Sequence, residues 1–425
     1  MRRLLAFLML TTVLIMLLPE TGSAIPAFAR KHGFNCNMCH TSFVKLNDWG
    51  QRFRNNGYQV PGQQGLEKNV IETAPPISIR TSTGATLYHS KKEHPVGYTD
   101  AGNTNGFGVY GFDLLAAGVL HKNISFLLIY TPRVDEPTSD YKGTDASQPG
   151  ALESANIVFR NLVPDALNLR IGRFEPAYHA ISSKRSYYIM QPYEIYSYQS
   201  PSGGFNYDDN QFGIELTGQS SVGTHYSFGV VNGSGPRPDN NKTKDLYLTL
   251  HQVIGRGEGQ SAGQRIGVFS YLGWQPTSVG LITAPTGENN GTDNKELYRF
   301  GGDVSLNWQT FNLRGLFLYG VDRRGLNPLE YGVTDDYKYS GGFVELDYAA
   351  LPNNRLLASA MLNWVEPPCY DKNSRIRAIS ALLRYYLGDW TAVNVALHAE
   401  YTHKQTGKVF PFKEDSFALL VDFDF

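Results

Sequence analysis

Cysteine is scarce in this chain, which has only Cys36, Cys39 and Cys369 among its 425 residues. Three cysteines exclude a disulfide scaffold for a protein of this size. Cys369 stands alone in "EPPCYDK", and we expect it to be an exposed loop residue. The other two stand close together in "FNCNMCH", directly before His40, and this clustering calls for a chemical reason.

The chain also lacks an excess of either charge, and it lacks long apolar runs after residue 18. The 38 basic residues balance 39 acidic ones, so no broad attraction to nucleic acid is expected. One apolar run, from Leu4 to Leu18, follows two arginines and precedes small residues, which predicts a signal peptide over residues 1–24. Later segments do not supply the roughly 20 apolar residues of a spanning helix, so we expect no helical anchor.

Aromatic residues and glycine, by contrast, are abundant. The chain has 26 Tyr, 23 Phe and 43 Gly, a composition more typical of outer-membrane barrels than of soluble domains. Apolar and polar residues alternate in short runs from residue 76 to 425, which is the signal of β-strands. In the last run, "FALLVDFDF", one face carries Phe417, Leu419, Val421, Phe423 and Phe425, and the other carries Asp422 and Asp424.

These runs predict an all-β fold, an outer-membrane antiparallel β-barrel of about 16 strands over residues 76–425. Tight links alternate with long loops. This alternation places the short turns and the N- and C-termini of the barrel on the periplasmic side. The long loops are expected at 89–106, 133–151, 176–209 and 276–296. The aromatic loop 176–209 either folds into the lumen or caps the barrel from outside. Strands are predicted near 77–88, 107–120, 124–132, 152–162, 167–175, 210–219, 225–232, 244–253, 264–275, 297–309, 311–323, 337–348, 355–364, 375–386, 391–402 and 415–425.

Residues 25–75 have a different texture. In "TSFVKLNDWGQRFRNNG" the residues Phe43, Leu46, Gly50 and Phe53 share a helical face, and Asn56-Gly57 is a stop signal. The sequence therefore predicts one short α-helix, with a linker over residues 58–75. A segment this small cannot enclose a haem alone. We therefore expect it to plug the lumen, where residues of the barrel wall would complete the haem pocket.

C-x-x-C-H is the attachment signal for c-type haem. The thiols of Cys36 and Cys39 would form thioethers with the porphyrin, and His40 would become an axial ligand of the haem iron. One covalent haem c is thus the predicted cofactor. Two alternatives stay open: a C-x-x-C redox pair, which leaves His40 unexplained, and a zinc site of His32, Cys36, Cys39 and His40, which would use adjacent ligands.

The second axial ligand is not specified by the sequence. His32 is the nearest histidine, and strand parity turns four further candidates toward the lumen. Each of these can equally be an ordinary lumen residue, and Glu400 is placed to pair with His398. The candidates, together with a methionine of the long aromatic loop, are His32, Met190, His225, His251, Met361 and His398.

The order of signal peptide, one C-x-x-C-H at residues 36–40, and a barrel closing on Phe425 resembles the fused monohaem cytochrome-porin family of outer-membrane iron oxidases. The resemblance implies electron transfer between extracellular donors or acceptors, among them Fe(II), and a periplasmic c-type cytochrome. Whether the protein is an Fe(II) oxidase is left open, because no motif identifies an iron-contacting residue. The expected partners are those redox partners and outer-membrane lipid, with no nucleic acid.

Two other functions compete with an electron conduit. One is a solute porin in which the haem-bearing segment is a structural plug. The other is a haem-based sensor or a haem-handling protein. A hydrocarbon core of about 30 Å separates periplasmic from external redox partners, which gives a haem inside a pore a physical purpose.

Covalent haem attachment is directly testable. We expect the purified protein to keep its haem absorption through denaturation, because thioether bonds survive unfolding. Cys36→Ala combined with Cys39→Ala should lose the haem, as measured by absorption spectra and haem staining of denatured protein. Wild-type protein without covalent haem would refute the attachment.

Overall fold

The structure is a computed structural model of the chain. It describes residues 27–32, 34, 38–42, 45–60, 77–94, 99–132, 151–164, 166–176, 181–190, 193–200, 207–220, 222–255, 264–276, 294–323, 335–351, 355–387 and 394–424. The predicted signal peptide, Cys36, most of the predicted linker and Phe425 lie outside these ranges.

Sixteen antiparallel strands close into one barrel, which confirms the predicted fold class. Each strand pairs with its neighbours in sequence, and the last strand pairs with the first, for example Phe417 with Leu87. The strands are β3 Ile77–Glu93, β4 Thr99–His121, β5 Ile124–Thr131, β6 Ala151–Val163, β7 Leu167–Phe174, β8 Gln211–Gln219, β9 Thr224–Val231, β10 Asp245–Ile254, β11 Gln264–Pro276, β12 Asn294–Trp308, β13 Phe311–Asp322, β14 Tyr337–Ala350, β15 Leu356–Glu366, β16 Ile376–Tyr386, β17 Asn394–Thr406 and β18 Phe412–Asp424.

Alternation along the strands separates an apolar exterior from a polar interior. On β14, Val344 and Leu346 are exposed on the outside, whereas Glu345 and Asp347 are buried inside. The outer surface is a band of exposed apolar side chains, including Leu250, Ile266, Val268, Phe300, Phe317, Leu362, Ile379, Leu383 and Leu419. A closed barrel with an apolar exterior satisfies its backbone internally, as a membrane-spanning structure must.

Short and long connections alternate around the barrel. Residues 122–123 and 309–310 form tight turns at one end, and positive φ angles at Lys122 and Gln309 make these turns possible. One predicted loop is wrong: residues 89–106 are mostly strand, since β3 runs to Glu93 and β4 starts at Thr99. The sequence there is polar and contains glycine, so it lacks the apolar alternation that predicts a strand. It nevertheless forms a hairpin that pairs residue by residue beyond the apolar band.

Small elements precede the barrel: α1 Ala27–His32, a hairpin of β1 His40–Ser42 and β2 Lys45–Leu46, and α2 Asp48–Asn55. The predicted helix exists but begins later than the pattern suggested, because Leu46 pairs with His40 in the hairpin. The Asn56-Gly57 stop is confirmed, with Gly57 in the left-handed region at φ +62°. Among the described helices, none combines the length and apolar character needed to cross a membrane.

Placing a charge on the outer band should destabilise the barrel according to depth. Val268→Arg, within β11, should lower the free energy of unfolding by about 2–4 kcal/mol, because the guanidinium would lie in hydrocarbon. The matched control Ile254→Arg lies at the end of β10 and should cost only about 0–1 kcal/mol. Equilibrium unfolding in phospholipid vesicles measures both, and equal effects would contradict a membrane-facing band.

Candidate haem site and its anchors

The described part of the C-x-x-C-H motif is fixed by the residues that follow it. Cys39 and His40 are both half-buried, and the backbone N–H of Asn47 donates to the Cys39 carbonyl at 2.9 Å. The Asn47 side chain donates to the Met38 carbonyl at 3.0 Å and accepts from the Gly50 N–H at 2.9 Å. Asn47 therefore caps α2 and ties that helix to the motif.

Gly50 allows α2 to touch the motif. A Cβ atom at this position would lie 2.1 Å from the Cys39 carbonyl oxygen, closer than any side chain tolerates. Gly50 and Phe53 are both buried, as their shared face in the sequence predicted. The approach of helix to motif thus depends on the missing side chain at residue 50.

Aromatic rings pack around α2 on the same segment. Phe53 is the central ring, and Trp49 stacks on it with a centroid distance of 5.4 Å. His32 stacks on Phe34 at 5.1 Å and meets Phe53 edge-on at 5.7 Å. The full cluster is Phe28, His32, Phe34, Trp49, Phe53 and Tyr58. These rings form one aromatic cluster on the segment that carries the motif.

The described residues fit a c-type haem in donor chemistry and surroundings. Cys39 and His40 are adjacent, half-buried and fixed in backbone, with aromatic rings on the same segment. Cys36 lies outside the described residues. Within the described ranges, no three or more His, Cys, Asp or Glu side chains converge as a metal site. His32, Cys39 and His40 therefore do not assemble the alternative zinc site by themselves.

The candidate axial ligands on the wall differ in their contacts. His398 has both ring nitrogens engaged, with Nδ1 2.9 Å from Asp422 and Nε2 3.2 Å from Glu400. This arrangement favours the predicted structural pairing with Glu400 over iron ligation. Nε2 of His225, in contrast, lies 3.8 Å from Asp48 at the start of α2, which brings it to the haem-motif segment.

The other candidate axial ligands, His251, Met361 and Met190, contact residues of the barrel wall or its interior. Nε2 of His251 lies 3.0 Å from Asp303 of the neighbouring wall. Met361 is buried in the hydrophobic cluster inside the barrel, and Met190 packs against Ala418 and Leu420. Strand parity correctly predicted that His225, His251, Met361 and His398 face inward.

Lys45 fixes the segment to the barrel wall. Its ammonium group donates to Glu345 and, at 3.2 Å, to Asp347, and it lies 3.9 Å from the ring centroid of Tyr187. Burial and the nearby Arg314 lower the pKa of Lys45, while Asp347 and Glu345 oppose that shift. All three charged groups are buried, so Glu345 depends on Lys45 for compensation, whereas Asp347 also pairs with Arg314.

The far end of α2 contacts the short-turn end of the barrel. Asn168 of β7 donates to the Asn55 carbonyl at 3.1 Å, and Gln59 donates to the Lys122 carbonyl at 2.7 Å. A Cβ on Gly57 would lie 2.2 Å from the Ser125 hydroxyl of β5. Residues 45–60 therefore lie within the lumen, against several strands of its wall.

The described residues of the connection between β7 and β8 also turn inward. We call these residues, 175–176, 181–190, 193–200 and 207–210, the inward loop. Its backbone N–H groups at Ile189 and Met190 both donate to Glu400, at 2.8 and 3.0 Å. Tyr193 stacks on Phe343 at 3.9 Å and donates to Glu345 at 2.7 Å. Of the two predicted placements, the structure thus shows the lumen. Its α3 helix, Glu194–Ser197, is almost entirely buried.

Sequence reasoning missed the Lys45 anchor. A signal was present, since the parity of β14 turns Glu345 and Asp347 into the lumen, where adjacent carboxylates require cations. Arg314 supplies one on the neighbouring strand, 2.8 Å from Asp347. Nothing in the sequence linked Lys45 to residues 300 positions away, because long-range pairing depends on the folded geometry.

No protein-family model and no curated protein matches the chain. Solved structures do match in fold. An anion-selective porin from Comamonas acidovorans has a TM-score of 0.54 at 11% identity, covering 83% of this chain and 100% of that one. The outer membrane channel DcaP of Acinetobacter baumannii has 0.54 at 9%, covering 83% and 97%. OprB of Pseudomonas putida has 0.51 at 13%, covering 89% and 98%. At these identities the likeness shows the porin-type barrel fold alone.

Removing the Lys45 ammonium should loosen the segment in the lumen. Lys45→Ala leaves Glu345 and Asp347 with an uncompensated buried charge, so we expect local opening to become easier by about 3–5 kcal/mol. Hydrogen exchange of residues 45–60 should then accelerate by about 100-fold or more. Lys372→Ala, at an exposed turn, is the matched control and should leave exchange unchanged. Unchanged protection in Lys45→Ala would contradict the anchoring role.

Proposed function

We propose that this protein is an outer-membrane barrel whose lumen holds a haem-bearing segment, and that it passes electrons between extracellular and periplasmic redox partners. The observation that carries the proposal is the location of the C-x-x-C-H segment. Residues 45–60, which begin five residues after His40, are anchored to the inner wall through Lys45, Asn55 and Gln59. A haem attached at Cys36 and Cys39 would therefore be placed inside the barrel or at its mouth.

The outer membrane is the location that the barrel architecture supports. The exterior is an apolar band, and solved outer-membrane proteins share the closed-barrel fold. Short turns gather at the end where Gln59 contacts Lys122, and in such barrels short turns face the periplasm. On this basis the haem segment and the N- and C-termini of the barrel lie on the periplasmic side, where a c-type cytochrome is a suitable partner.

The burial of several inward charges supports electron flow over solute flow. In a water-filled pore, inward charged side chains remain hydrated. Here Arg299, Glu345 and Glu400 are at most 2% exposed, because neighbouring wall residues, the N-terminal segment and the inward loop cover them. Protein covers these three charges, so this part of the lumen would insulate a redox centre as well as support it.

Each residue of the motif has a defined part in this proposal. Cys36 and Cys39 would hold the haem covalently, and His40 would bind its iron. The bound haem would supply reversible one-electron chemistry, and Asn47 and Gly50 fix the backbone that carries it. Fe(II) as the extracellular donor follows from the family resemblance, since no described residue group forms a separate iron site.

A solute porin with a structural haem-bearing plug is the second candidate. The fold comparisons favour it more directly than the conduit, because the similar structures are a porin named as anion-selective and a channel. They do not account for the C-x-x-C-H motif, and the burial of the inward charges opposes free passage. The two candidates therefore make opposite predictions for electron transfer.

Electron transfer across a membrane is testable in proteoliposomes that enclose a reduced c-type cytochrome. When ferric citrate is added outside, we expect oxidation of the enclosed cytochrome, because the haem bridges part of the insulating layer. The control, Cys36→Ala with Cys39→Ala, should show only the background rate. Equal rates with and without the two cysteines would overturn the conduit and leave the solute porin.

A further inference from the structure

Three arginines from different parts of the chain converge inside the barrel. Arg54 comes from α2, Arg170 from β7 and Arg185 from the inward loop. Arg54 and Arg185 approach the same oxygen of Glu175, Oε2, at 3.9 and 3.4 Å. Arg170 donates to the Glu175 carbonyl at 3.0 Å and also pairs with Glu215. We call these three side chains the arginine cluster.

Among the described residues, cationic charge exceeds anionic charge in this cluster. Three guanidinium groups approach two carboxylates, and both carboxylates have other donors as well. Ser182 donates to Glu175, and Tyr247 donates to Glu215. A guanidinium carries five N–H donors in a planar fork that matches a carboxylate, so this arrangement leaves donor capacity for a further anion.

The electrostatics of Arg54 agree with this count. Burial, the charge of Arg185 and the charge of Arg170 lower the pKa of Arg54 to about 10, although Glu175 acts in the opposite direction. The three side chains are nevertheless accessible to a ligand, because Arg54, Arg170 and Arg185 are 14%, 14% and 26% exposed. An added anion would relieve the repulsion among the guanidinium groups.

The arginine cluster also lies near the haem motif. Gly50 packs on the Cys39 carbonyl, and Arg54 follows four residues later, about 6 Å further along the axis of α2. A haem attached at Cys36 and Cys39 would carry two propionate groups, which are carboxylates. The same chemistry describes a small organic acid that enters the lumen from solution.

We propose that Arg54, Arg170 and Arg185 form a carboxylate-binding site inside the barrel. Its occupant is either a propionate of the haem, in which case the site rests on the proposed function, or a free dicarboxylate, in which case it does not. Arg54 makes the site part of the plug, so binding there would also tighten the contact between α2 and the inward loop.

Two measurements on the full-length protein distinguish these occupants, with Arg54→Gln and Arg185→Gln as variants. The first is redox titration of the haem at several pH values. If a propionate binds the cluster, each variant should lower the midpoint potential and make it depend on pH, because an uncompensated carboxylate stabilises the ferric state. The second is calorimetric titration with succinate. If a free acid binds, wild type should bind succinate, and each variant should bind about tenfold more weakly or worse.

Control variants separate recognition from misfolding. Arg323→Gln removes an exposed arginine that pairs with Asp336 and should change neither measurement. Arg54→Lys keeps the charge without the fork and should restore part of the potential or the affinity. A protein without haem would refute the proposed function but leave the succinate titration decisive. The proposed site would be overturned if the arginine variants neither shifted the midpoint potential nor weakened the binding of succinate.

Discussion

Hydrocarbon offers no hydrogen-bonding partners, and the architecture of this protein follows from that constraint. Every backbone group in the membrane must be paired within the protein, so the strands close into a barrel, with β18 joined to β3. Closure turns alternate side chains inward, and the charged ones then require partners. Lys45 of the N-terminal segment meets this requirement at Glu345 and Asp347, which couples the membrane wall to the segment that carries the haem motif.

The inward loop joins the same network. Tyr193 donates to Glu345, Tyr188 donates to Ser359, and Ser359 in turn donates to Asp347. Wall, loop and N-terminal segment therefore share two carboxylates. Removing one partner would leave the others with buried, uncompensated charge, so the wall, the inward loop and the N-terminal segment stabilise one another.

The sequence was sufficient for the barrel but not for its contents. Period-two alternation predicted the strands, since the pattern of Val344, Glu345, Leu346 and Asp347 follows directly from one lipid face and one lumen face. It did not predict the hairpin at 89–106, where polar residues lie beyond the membrane. Contacts such as Lys45 with Glu345 or Arg54 with Glu175 depend on how the segment and inward loop fit the lumen, and local patterns carry no information about that fit. The C-x-x-C-H motif remains a prediction from chemistry.

We propose that the porin-type barrel here encloses a redox segment instead of an aqueous channel. Single-channel conductance of the full-length protein in planar lipid bilayers tests it most directly. We expect membranes that contain the inserted protein but show no stable open-pore current, because the N-terminal segment and the inward loop pack against the wall inside the barrel. A persistent ohmic current of the size that open porins give would contradict it.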